Sequence, residues 1–138
     1  MKLCSACLCG INCRWNGKNR LNDKILAMVA RGGVLPVCPE QLAGLPTPRE
    51  ACEGPIDGRV ISKSGRDFTD EFTRGAVKVL ELARAVGATE FIGTESPSCS
   101  VGKIYDGKFS GGFVPGNGIT AALLKENGIK ITNVADII

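Results

Sequence analysis

Histidine is absent from all 138 residues of the chain. That absence removes Ser-His-Asp triads, Cys-His nucleophile pairs and His-ligated zinc catalysis. Any bound metal must therefore sit on thiolates, carboxylates or backbone groups. No apolar run approaches the roughly 20 residues needed to span a bilayer, so no membrane partner is expected. Neither sign of charge is in large excess. The 17 basic and 14 acidic residues leave +3, too little for the dense cationic footprint of a duplex DNA binder. A small anionic ligand remains compatible with that balance. The opening MKLCSACLCG is too short and too rich in cysteine for a secretory signal, which makes the cytoplasm the expected compartment. Disorder is excluded as well, because the chain is 43% hydrophobic with a mean hydropathy of +0.08 and can bury enough apolar surface to offset its ordering entropy.

What is abundant is glycine and cysteine. There are 18 glycines, nearly twice the usual share of about 7%. The seven cysteines are an odd number, and in a reducing compartment they do not make a disulfide framework. The plainest role for a free cysteine is that of a small buried hydrophobe, and it suits Cys4 and Cys52.

The length suits one domain with one core, residues 1–138. Lys2–Cys7 reads as a buried strand, Asn22–Arg31 as a helix capped by Asn22 and stopped by Gly32-Gly33, and Val34–Cys38 as a second strand. Together they make a βαβ unit. Pro39–Pro55 reads as an ordered loop, and Arg59–Ser62 as a short extended excursion. Thr69–Val86 is the longest helix, with Phe72, Ala76, Val79, Leu80 and Ala83 on one face and Thr69 as its cap. Glu90–Thr94 is a third strand and Ser96–Gly118 a second loop. Ile119–Glu126 is a helix and Lys130–Val134 a last strand. The alternation predicts an α/β fold: a single, mostly parallel sheet with helices on both faces, a Rossmann/flavodoxin-like three-layer arrangement.

The positions of three cysteines follow from that order. Cys7 and Cys38 end the first two strands, and Cys99 stands a few residues past the third. Carboxyl ends of parallel strands share one edge, where open α/β folds bind ligands. The three thiols are therefore expected in one crevice. A structural zinc or an electron-transfer cluster takes four cysteines, and Cys9 or Cys13 is at hand as a fourth. With only three ligands, one iron of a cluster stays open, which is a catalytic arrangement. The residues alone leave both cases standing.

SACLCGINCRWNG (Ser5–Gly17), PVCPEQLAGLPTPRE (Pro36–Glu50), DGRV (Asp57–Val60), SPSCSVGKIYDGKFSG (Ser96–Gly111) and GITAALLKENGIK (Gly118–Lys130) together resemble the thiouracil desulfurase (TudS-like) family, formerly a domain of unknown function. The likeness runs in order along nearly the whole chain. It implies a 4Fe–4S cluster on Cys7, Cys38 and Cys99, the cysteines of the SAC, VCPE and SPSC motifs, with the fourth iron free for the substrate's sulfur and Cys13 outside the ligand set. It implies a non-redox desulfuration of thiouracil or 4-thiouridine monophosphate that releases hydrogen sulfide. Three motifs depart from the family's pattern: CRYDG reads CRWNG at Trp15 and Asn16, SPSCG reads SPSCS at Ser100, and CLLG reads CLCG at Cys9.

On that reading Glu40 would serve as general base or proton shuttle for the attacking water. Ser96 and Ser98 would hydrogen-bond the leaving sulfur or the ring. Arg14 and Arg49, with Lys103 as a weaker candidate, would grip a nucleotide phosphate. The expected partner is thus a small thiolated base or nucleotide, and monomer and dimer are both open. Two other readings stand beside it. One is a four-cysteine metal-binding or redox module without catalysis, built on Cys7, Cys13, Cys38 and Cys99. The other is a metal-free nucleotide-binding protein, against which stands the lack of a GxGxxG or GxxxxGK[ST] fingerprint.

Overall fold

The computed structural model describes residues 1–137; Ile138, the last residue of the expected domain, lies outside them. Strand β1 (Lys2–Ser5) is followed at once by a 3-10 turn (Ala6–Cys9), helix α1 (Asp23–Ala30) and strand β2 (Val34–Val37). A one-turn helix α2 (Pro39–Leu42) leads to strands β3 (Cys52–Ile56) and β4 (Arg59–Ser62). Helix α3 (Thr69–Val86) and strand β5 (Glu90–Gly93) come next, then the short strands β6 (Lys103–Tyr105) and β7 (Phe113–Pro115). Helix α4 (Ile119–Glu126), strand β8 (Lys130–Asn133) and a 3-10 turn (Val134–Asp136) close the described chain.

The strands form two sheets of four, in the orders β2-β1-β5-β8 and β4-β3-β6-β7. The first is parallel throughout, with Leu3 opposite Leu35 and Phe91. The second is antiparallel. The expectation of a mostly parallel sheet therefore holds for only half the strands. The two segments read as loops, Pro39–Pro55 and Ser96–Gly118, supply α2, β3, β6 and β7. The reason is local. β3 carries Gly54 and Pro55 and shifts register between Glu53 and Ile56, while β7 is exposed along its whole length. Neither shows the period-2 alternation that marks a half-buried strand.

Side chains alternate across the parallel sheet, as the pleat requires. Leu3 and Phe91 join Val79, Leu80, Ala83, Ala121 and Leu124 in one apolar cluster, so α3 and α4 pack there. Cys4 and Ile92 join Ile25 in a second cluster, with Met28 and Val29 of α1 against it. Asn22 caps α1 as expected, its side chain accepting from the N–H groups of Lys24 and Ile25. Thr69 does not cap α3. It is the first helical residue, and its N–H donates to Asp67 Oδ1 at 2.8 Å while its Oγ1 accepts from Val60 N–H. Asp67 thus performs the capping that Thr69 was expected to supply.

All four parallel strands end sooner than expected, and in two of them the change moves a cysteine. β1 stops at Ser5, so Cys7 sits within the 3-10 turn rather than on the strand. β2 stops at Val37, so Cys38 is the residue that caps α2, with Pro39 at the first helical position. A Cβ on Gly75 of α3 would stand 2.2 Å from the Pro39 carbonyl oxygen, so only glycine lets α3 lie against α2.

Candidate functional site

A cavity of about 710 Å³ opens at the carboxyl edge of the parallel sheet. One wall is built from the segments at that edge: Ser5–Cys7 at the end of β1, Val37–Glu40 at the end of β2 and Thr94–Cys99 after β5. The facing wall comes from the antiparallel sheet and its loops, with Cys52, Glu53, Tyr105 and Phe109. Arg14, Trp15 and Lys63 also line the cavity.

Cys7, Cys38 and Cys99 all line this cavity, as their places in the strand order required. Cys13 lines it too. Cys7 and Cys13 pack together with Ala6, and Cys38 lies against them. The Cys38 thiol donates to the Cys13 carbonyl at 3.7 Å. Cys99 is 5% exposed, and its Sγ lies 3.6 Å from Ser98 Oγ. All seven cysteines are free. Burial pushes the Cys99 thiol up to about 12, although the neighbouring Ser5 and Ser98 hydroxyls oppose it. Cys38 is raised first by its hydrogen bond with Cys13 and then by burial. For Cys13 the hydrogen bond with Cys38 lowers the value, but the contact with Cys7 and burial outweigh it and leave the thiol at about 11.

The fit to a metal group can be judged from this donor set. Among the described residues no three Cys, Asp or Glu side chains are close enough to enclose a single ion. Thiols spread around a roomy cavity suit a polynuclear cluster, whose several irons each meet a different ligand. They do not suit the tight tetrahedron of one zinc.

Glu40 stands in the first turn of α2, its side chain 12% exposed. Its Oε1 accepts from Arg49 Nε at 3.1 Å and its Oε2 from Ser98 Oγ at 2.9 Å. A hydroxyl has one proton. With the Ser98 proton given to Glu40, the 3.1 Å contact between Ser96 Oγ and Ser98 Oγ must be donated by Ser96. Ser96 Oγ in turn accepts from Cys99 N–H at 2.8 Å. The polar chain therefore runs Ser96, Ser98, Glu40, Arg49. Ser100, one of the departures noted above, is fully buried and accepts from Ser96 N–H at 2.9 Å, which pins the same loop.

The three expected phosphate ligands fare differently. Arg14 lines the cavity. Burial and the nearby Arg20 charge depress its guanidinium below the ordinary arginine range. The ion pairs of this region are Arg20–Glu95, Arg49–Glu40 and Lys103–Glu95, and Arg14 is in none of them. Arg49 lines the cavity, but four of its five N–H donors are spent: Nε on Glu40, one terminal nitrogen on Pro46 O and Thr47 Oγ1, the other on Cys13 O at 2.8 Å. It holds the site together and has no fork left for a phosphate. Lys103 does not line the cavity; it pairs with Glu95 at 3.6 Å and sits 4.4 Å from the centre of the Phe113 ring.

Sequence reasoning missed Arg20, which reaches Thr94 Oγ1, Glu95 and the Tyr105 hydroxyl and so ties the two walls together. It also missed Lys63, which follows the short excursion Arg59–Ser62, and Phe109, in the segment Ser96–Gly118 that read as a loop. Trp15 was noted only as a departure; it is 44% exposed on the cavity rim. Cys4 and Cys9 do not line the cavity, and burial raises the Cys4 thiol well above its ordinary value. Cys52 does line it.

The fold and site together define an α/β protein with a thiol-lined, carboxylate-bearing cavity at the rim of a parallel sheet. The family model described as 2-thiouracil desulfurase matches residues 3–136, and the chain belongs to that family. It is 40% identical to the uncharacterized protein YbbK of Bacillus subtilis (strain 168), over 95% of this chain and 93% of that one. Among solved structures it matches the 4Fe–4S-dependent thiouracil desulfidase TudS with a TM-score of 0.91 and 39% identity, covering 99% of this chain and 91% of the other.

Proposed function

We propose that this chain is an iron–sulfur-dependent desulfidase that converts a thiolated pyrimidine and water to the oxo compound and hydrogen sulfide. The observation that carries the reading is the meeting of Cys7, Cys38 and Cys99 in one cavity beside the hydrogen-bonded Glu40 and Ser98. These three cysteines would hold a 4Fe–4S cluster. When bound, such a cluster supplies an iron with an open coordination position, a Lewis acid with affinity for a soft sulfur atom.

The chain's own residues do the rest. Glu40 takes a proton from the attacking water at Oε2, where it now accepts from Ser98. Arg49 keeps the carboxylate aimed. Ser98 and Ser96 pass protons toward the departing sulfur and hydrogen-bond it. Oxygen replaces sulfur on the ring carbon and no electron is transferred.

Arg14 and Lys63 are cavity cations without a carboxylate partner among the described residues, and a cavity of this size exceeds what a free base fills. Both support a nucleotide such as 4-thiouridine monophosphate over free thiouracil, with the phosphate on Arg14. The same reading places residues 1–138 in one catalytic domain of three layers in the Rossmann/flavodoxin manner, with the two apolar clusters on opposite faces of the parallel sheet in support. No described helix is long and apolar enough to cross a membrane, and the seven free thiols suit the reducing cytoplasm. The proposed partner is a small molecule; neither DNA nor a membrane is called for.

Chain reconstituted without oxygen should hold about four irons and release sulfide from the thiolated nucleotide. Cys99→Ala should lose the iron. Glu40→Ala should keep the visible absorbance and lose turnover; normal turnover in that variant would sink the role given to Glu40. One observation favours a second reading, a four-cysteine module without catalysis: Cys13 lines the same cavity and packs against both Cys7 and Cys38. Loss of iron in Cys13→Ala would select it.

A further inference from the structure

Two thiols take no part in the cavity, yet they face each other. Cys4 of β1 is 0% exposed, inside the apolar cluster with Leu8, Ile25 and Ile92. Cys9, at the end of the 3-10 turn, is half-buried and packs against the same cluster. Their sulfurs are 3.7 Å apart.

We infer that Cys4 and Cys9 form a redox-active dithiol, a modification site at which a low-molecular-weight disulfide oxidises the chain outside the catalytic cavity. The inference rests on the two sulfurs and their burial. It stands whether or not the chain is a desulfidase.

A disulfide brings its sulfurs to about 2.05 Å, so the pair must close by less than the width of one atom. The unequal exposure sets the order of events, because a thiolate reacts only where the oxidant can reach it. Cys9 attacks one sulfur of the small disulfide, forming a mixed disulfide and releasing one small thiolate. Cys4, screened from solvent, then attacks Cys9 Sγ, forming the internal bond and expelling the second small thiolate. Two cysteine thiols are oxidised and one small disulfide is reduced to two thiols, which take up the two protons.

The bridged segment CSACLC contains Ser5, Ala6 and Cys7, all of which line the cavity. The bond would tether both ends of the stretch that presents Cys7, so the oxidation state of a site on one face of β1 bears on the cavity at its edge.

The test uses the full chain, loaded with cluster and kept from air, exposed to glutathione disulfide. Free thiols are capped with N-ethylmaleimide in denaturant. The chain is then reduced, labelled with iodoacetamide and cut with trypsin. Peptide 3–14 should carry the second label on Cys4 and Cys9 together in most chains, and dithiothreitol given before capping should remove that signal. Cys9→Leu should leave Cys4 with the first label while keeping desulfuration within about twofold. Cys4→Ala should trap the intermediate as a stable glutathione adduct on Cys9. The inference is overturned if wild-type Cys9 keeps the adduct while Cys4 stays free, if both remain unoxidised, or if the second label falls on Cys7 and Cys13.

Discussion

The two walls of the cavity are built on opposite principles. The wall from the parallel sheet is buried and its polar groups are matched: Cys99 and Ser98 are at most 5% exposed, and Glu40 is held by Arg49 on one oxygen and Ser98 on the other. The facing wall and rim are open, with Trp15 at 44% exposure and Arg14 outside every ion pair of the region. Fixed charges and short hydrogen bonds suit a wall that must not reorganise during reaction. Unspent cations and bare rings suit a wall that waits for a ligand. Chemistry is therefore assigned to the first wall and substrate choice to the second.

The largest effects should come from breaking the first wall. Glu40→Gln keeps the shape and the Ser98 contact but removes the base, and turnover should fall by at least ~100-fold with cluster absorbance unchanged. Arg49→Met should cost about 3 kcal/mol in denaturant unfolding, because it leaves the Glu40 carboxylate nearly buried without its counter-ion. An unfolding midpoint equal to wild type would deny Arg49 its place in the wall.

Damage to the second wall should separate binding from chemistry. Arg14→Ala should raise KM for 4-thiouridine monophosphate about tenfold and leave kcat, and the kinetics with free thiouracil, near wild type. Equal losses on both substrates would move Arg14 out of a phosphate role. Lys103→Ala, which removes a side chain already spent on Glu95 and Phe113, should change either substrate less than twofold.

In their response to pH the two walls agree. Cys99 and Cys52 are pushed up to about 12, both by burial. Above about pH 8.5 the unfolded chain releases these protons while the folded, cluster-free chain retains them. The unfolded state then binds fewer protons, so stability falls as pH rises toward 12. Melting of cluster-free protein should therefore drop steadily over that window, and the slope should shrink in Cys52→Ala.

The convergence of Cys7, Cys38 and Cys99 was legible from the strand order, although Cys7 stands two residues beyond its strand, in a 3-10 turn, and Cys38 one beyond, at a helix cap. The argument survived because it needed only a shared edge. Arg49 was not legible. A phosphate fork and a carboxylate clamp use the same residue, and only its partners, 9 and 36 positions away in sequence, tell them apart. The antiparallel sheet escaped for a different reason: strands of three to five residues carrying Gly and Pro have too few side chains to show a period.

The amino-acid sequence by itself determined the three longer helices, the parallel strands and the edge on which the thiols gather. Those depend on periodicity, caps and the common direction of parallel strands, all of which are local. The tertiary structure alone decided that Glu40 bridges Arg49 to Ser98, that Cys13 joins the cavity while Cys4 and Cys9 pair outside it, and that a second sheet closes the facing wall. Each of these depends on the approach of segments remote along the chain, and no local pattern encodes which donor will meet which acceptor across that distance.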